Sequence, residues 1–220
     1  MAGDEQDDLF PVLPAPKPLS PIKRRVLQAA IEIEAEDPIS ILYQHTVFCQ
    51  AGLPYRDPGD DVRVWERQNG QAHLKILAGE AMHPELHRFV SIGLPFGTKP
   101  RLILAYLNAE AIRTSSPVIE VEASLTAFVK RLRLASKGRN VKIVKDQLAR
   151  LAASSIRLGL VRDGQAVTVN SQIVTAFDLW FPKDDRQRVL WPSTVQLSLD
   201  YFDSLTRHAV PLDERAIAAL

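Results

Sequence analysis

SLTAFVKRLRLASKGRNVKIVKDQLARLAASSIRLGLVRDGQAVTVNS, Ser124 to Ser171, decides the fold. Ser124 is placed to cap a helix in which Leu125, Phe128, Val129 and Leu132 fall at i, i+3, i+4 and i+7, a single buried stripe. A loop from Arg133 to Asn140 contains Gly138. A further helix is predicted from about Val141 to Ser155, with Val141, Val144, Leu148, Leu151 and Ala152 on one side. IRLGLVR and QAVTVNS then alternate like strands and meet at Asp163 and Gly164, a tight hairpin signal. Upstream, Thr98 can cap a helix that tolerates Pro100 in its first turn and runs to about Arg113, and PVIEV reads as a short strand. Helix, short strand, helix, helix, hairpin is the order of a winged helix. The expected class is therefore α+β, a winged-helix domain preceded by a small antiparallel β region.

Working outward, residues 1–21 combine acidic residues with five prolines and predict a disordered lead-in. Residues 22–97 predict an amphipathic helix from Ile22, ended by Asp37 and Pro38, and then a small antiparallel sheet. In that sheet VRVWERQ and QAHLKIL flank Asn69 and Gly70, the signal of a type I′ turn, and RFVSIGLP is a candidate partner strand. Residues 98–190 form the winged-helix unit, with IVTAFDLWF as a third β run after the hairpin. Residues 191–220 form a strand and helix segment that stops as LDERAIAAL begins an amphipathic helix, with no cap and no breaker, the pattern of a truncated chain. Trp65, Trp180, Trp191 and Tyr201 are expected in the core.

Composition narrows the function classes. Apolar residues make up 46% of the 220, ample for a core. Cys49 is the only cysteine, which excludes an intrachain disulfide and a thiolate zinc cage. No run of about 18 apolar residues exists, and the N-terminus MAGDEQDDLF is acidic where a secretory signal is basic, so a soluble cytoplasmic protein without membrane contact is expected. The net charge of +1 hides a polarised chain. Lys and Arg number 9 against 14 Asp and Glu in residues 1–97, 16 against 8 in residues 98–190, and 2 against 4 in residues 191–220. A polyanion would be steered to the basic middle.

Within that middle, Lys137, Arg139, Lys142 and Lys145 suit phosphate contacts, which position a protein on DNA without reading it. Gln147 is placed to bond adenine and Arg150 guanine. Asp146 either accepts from cytosine or pairs with Arg150 one turn on. Arg162, at the hairpin tip, would reach backbone or minor groove.

Enzyme signatures fail. HPELH spaces His83 and His87 at i and i+4, but Pro84 stands where a zinc protease has its glutamate and no third ligand is evident. GLPFGTKP lacks the spacing and the hydroxyl residue of a phosphate-binding loop. A nicking initiator would need a pair of metal-binding histidines separated by one residue, with a tyrosine nucleophile, and no such pair exists. No catalysis, cofactor or metal is expected.

The blocks LPYRDPGDDVRVWERQNG, LKILAGEA, GLPFGTKPRLILAYLNAEAIRTSSPVIEV, SLTAFVKRL, QLARL and WPSTVQLSLDYFDSL together resemble the RepA family of plasmid-encoded replication initiators of bacteria. The resemblance runs from about Ile41 onward. It implies a protein that binds repeated sites in a plasmid origin, helps open it and recruits host replication proteins without cleaving bonds itself, with a possible homodimer. The family's helix blocks fall on Ser124 to Phe128 and Gln147 to Leu151. The chain departs from the pattern at Glu122, where the family has glycine, and at its end, beyond which family members continue. Two other readings use the same residues: a transcriptional regulator repressing its own gene, and an interaction module that mainly dimerises.

Overall fold

The computed structural model describes residues 18–35, 40–83, 85–121, 124–162, 165–176 and 194–219. In chain order they form α1 (Pro21–Ala35), β1 (Ile41–His45), α2 (Thr46–Gln50), β2 (Val64–Asn69), β3 (Ala72–Leu77), β4 (Glu80–His83), β5 (Arg88–Ser91), α3 (Thr98–Thr114), β6 (Val118–Glu120), α4 (Leu125–Arg131) and α5 (Gly138–Ala153). Then follow β7 (Ser155–Arg162), β8 (Gln165–Gln172), β9 (Val174–Ala176), β10 (Thr194–Leu197), α6 (Leu199–His208), β11 (Ala209–Asp213) and α7 (Glu214–Ala219). The class is α+β, and each sheet is antiparallel.

The central sheet has the order β2-β3-β7-β8. Leu74 stands opposite Leu158 and Ile76 opposite Ile156, so one face of this sheet is apolar and buried. α3, α4 and α5 complete the same core through Ile103, Leu104, Leu107, Phe128, Val129, Val144, Leu148 and Leu151. The rings of Tyr106 and Phe128 meet edge to face at 5.5 Å. This core draws residues from both sides of the expected boundary between residues 97 and 98. β3 comes from the N-terminal side of it and β7 from the other, yet they pair along six residues.

Two local expectations shift. In the β2–β3 hairpin Asn69 pairs with Ala72, so the two-residue loop is Gly70-Gln71. Positive φ occurs at Gly70 (56°) and not at Gln71, as in a type II′ turn rather than the expected I′. RFVSIGLP supplies β5, but β5 pairs with β4 in a hairpin of its own and not with β2 or β3. Arg63 holds the base of that hairpin, donating to the carbonyls of Ala78 at 3.0 Å, Gly79 at 2.8 Å and Ile92 at 3.0 Å. Gly79 lies directly against the Ala153 carbonyl at the end of α5, where any Cβ would collide.

The remaining strands close the fold. β1 pairs with β11, and β10 lies between β6 and β9. α1 packs on α7 and buries none of its residues. Trp65 is half-buried and Tyr201 buried, while Trp180 and Trp191 lie outside the described residues. Among the described residues no helix is long and apolar enough to cross a membrane.

Candidate nucleic-acid interface

The interface is built on α4, the turn after it and α5. Ser124 caps α4 as the sequence predicts, its hydroxyl accepting from the Ala127 N–H at 3.1 Å. The helix ends in a Schellman arrangement. Leu134 N–H donates to Val129 O at 3.1 Å and Arg133 N–H to Lys130 O at 2.9 Å, with Arg133 left-handed at φ 55°. Glycine is the usual residue there. Arg133 is instead held by a two-pronged ion pair, its Nε and Nη2 each 2.9 Å from a carboxylate oxygen of Glu214 at the start of α7.

α5 begins at Gly138, three residues before the expected start, so Lys137 is its N-cap and Arg139 lies in its first turn rather than in a loop. Lys137 makes no side-chain capping bond, and the first turn contains no acidic residue. The positive end of the helix dipole is thus surrounded by cations, an arrangement that favours an anion. Lys137, Arg139 and Lys142 are exposed and Lys145 half-buried.

The second half of α5 has a different occupation. Gln147 is only 1% exposed. Its Oε1 accepts from the Phe96 N–H at 2.9 Å and its Nε2 donates to Asp146 at 3.1 Å. Arg150 donates from Nε to Asp146 at 2.9 Å and from Nη1 to Leu94 O at 3.3 Å, and its Nη2 lies 3.7 Å from Asp60. Its guanidinium sits over the Phe96 ring at 5.2 Å. Gln147 and Arg150, expected to read bases, are thus engaged within the chain. Both clamp the segment leading into α3, because that segment has backbone groups with no partner in a helix or sheet. Asp146 stays exposed, but its carboxylate is engaged by Arg150, the commoner use of an i, i+4 pair. Arg162 ends β7 opposite Gln165, while its side chain and the tip residues Asp163 and Gly164 lie outside the described residues.

The sequence profile of the family described as plasmid encoded RepA protein matches residues 94–220. The chain belongs to the RepA family of plasmid-encoded replication initiators. The matched stretch starts at Leu94, whose carbonyl Arg150 holds, and takes in α3, α4, α5 and the β7–β8 hairpin. Among solved structures, a crystal structure of domain 2 and domain 3 of RctB is similar at a TM-score of 0.43 and 10% identity. The similarity covers 70% of this chain and 57% of that one. A search of curated proteins finds no match.

Two other polar clusters in this RepA chain are structural. The Val47 N–H donates to His45 Nδ1 at 3.2 Å, so the neutral ring carries its proton on Nε2 and donates it to Ser204 Oγ at 3.0 Å. That tautomer cannot act as the base for Ser204, and both residues are buried. Burial, and then the charge of His208, pushes the His45 pKa down to about 4. Tyr201 donates to Asn108 at 3.0 Å and Asn108 to Gln44 at 2.9 Å, extending the same network. In the HPELH motif, His83 Nδ1 accepts from the N–H groups of Glu85 at 3.2 Å and Leu86 at 3.3 Å, which occupies it in a turn. Among the described residues no three His, Cys, Asp or Glu side chains gather as metal ligands.

Proposed function

We propose that this chain binds the origin DNA of its plasmid through a winged helix made of α3, α4, α5 and the β7–β8 hairpin. It acts in the cytoplasm without catalysing a reaction, and host replication proteins join the complex it forms on DNA. The observation that carries this reading is the N-terminal half of α5. Lys137, Arg139 and Lys142 are exposed around a helix start with no acidic residue and no side-chain cap, in a chain of the RepA family. Helices of helix-turn-helix proteins contact bases and phosphates with their N-terminal residues, and here the C-terminal half is already committed to the protein interior. Lys137, Arg139 and Lys142 then supply phosphate contacts, and sequence reading falls to the hairpin rather than to Gln147 or Arg150.

The test is a titration of repeated origin sequence and of random duplex at several salt concentrations. Tighter binding to the origin repeats is expected, with log Kd rising in proportion to log salt by roughly 0.9 per phosphate contact. Binding indifferent to both salt and sequence overturns the proposal.

A further inference from the structure

A second group of cations stands outside the α5 face. On the edge strand β2, Arg67 lies opposite Leu74 in register and therefore on the core-facing side of the sheet, with Trp65 and Asn69. Glu66 faces the other way and is paired with Lys75 at 3.0 Å. Arg101, in the first turn of α3, donates from Nη2 to Leu53 O at 2.6 Å and lies over the ring of Tyr55 at 5.9 Å. Tyr55 itself is 66% exposed. Burial, and then the charge of Arg67, lowers the pKa of Arg101.

What these two arginines lack is an ion-pair partner. Among the described residues, Arg67 and Arg101 make no ion pair. Two buried side-chain donors there bond nothing, Arg101 Nε and Trp65 Nε1. Unsatisfied buried donors and mutually repelling guanidiniums are costly, and one group with several acceptor oxygens relieves both. Guanidinium forks suit phosphate oxygens in particular. An exposed tyrosine beside them offers a stacking face for a base.

We propose that Arg67 and Arg101 form a phosphate-binding site with Tyr55 at its rim, separate from the α5 face. The phosphate comes either from a DNA strand that also contacts α5, an identification that rests on the proposed function, or from a free phosphate compound.

The full chain and its Arg67→Gln and Arg101→Lys variants are compared in two measurements. The first is the thermal midpoint in inorganic phosphate against chloride of equal ionic strength. The second is the salt dependence of origin duplex binding. Phosphate is expected to raise the midpoint of the wild type, and each variant is expected to lose most of that rise. If DNA is the source, Arg67→Gln also lowers the salt slope by about one unit. Its loss in log Kd then adds to that of Lys142→Ala, as for sites without shared partners. A lost midpoint rise with an unchanged slope assigns the site to a free phosphate compound. Equal midpoint rises in wild type and both variants, with equal slopes, overturn it. A wild type that binds no duplex defeats the proposed function, and the phosphate arm alone then decides the site.

Discussion

The two halves of α5 are made of the same kinds of residue and do opposite things. Before Asp146, Lys137, Arg139 and Lys142 face outward. From Asp146 on, the polar side chains are spent on the backbone of Leu94 to Phe96 and on Asp60. The difference lies in what stands across from each half. A helix face is free to bind a partner only where no other segment presents groups that need bonding, and the approach to α3 presents a carbonyl and an N–H.

The contrast predicts that substitutions toward the C-terminal end cost stability, whereas those at the N-terminal end cost affinity. Leu148, buried among α3, α4 and α5, sets the upper bound, and Leu148→Ala should lower unfolding free energy by about 2–5 kcal/mol in denaturant titrations. The buried polar network sharpens the contrast through pH. The His45 pKa is pushed down to about 4, so the unfolded chain takes up a proton before the native one does. Stability should be flat above the ordinary histidine pKa of about 6.5, and should fall by on the order of 3 kcal/mol as pH drops from there to about 4. His45→Gln should flatten that fall, and an unchanged pH profile would mean that another group causes it.

Gln147→Ala comes next. It leaves the Phe96 N–H without its partner and should cost about 1–3 kcal/mol. Origin and random DNA should lose affinity by equal factors or not at all. A selective loss on origin sequence would break the comparison by restoring Gln147 as a base reader. The smallest effect on stability is expected from Lys142→Ala, within roughly 0.5 kcal/mol because the side chain is exposed, together with weaker binding to both DNAs.

Elements held by local chemistry were legible in the sequence. The Ser124 cap, the Leu125 to Leu132 stripe and the paired strands from Ser155 to Gln172 follow from residues within a turn or two of one another. What depends on distant partners was not. Gln147 appears polar on a helical wheel, and nothing in periodicity reveals an N–H presented 51 residues earlier in the chain. The pairing of β3 with β7, across residue 97, is equally invisible to local patterns. The early start of α5 escaped for another reason. Gly138 signals a loop, yet its Cβ position is open to solvent and the backbone there is helical. Arg133 hid the end of α4, because the left-handed position after a helix is ordinarily marked by glycine and here is filled by an arginine held by Glu214.

The most direct test compares the salt dependence of origin DNA binding for wild type, Arg139→Ala/Lys142→Ala and Arg150→Ala, each below its unfolding temperature. If the N-terminal half of α5 carries the contacts, the double variant should lose about two units of slope, and Arg150→Ala should keep the wild-type slope. A slope lost with Arg150→Ala and retained in the double variant would contradict this assignment.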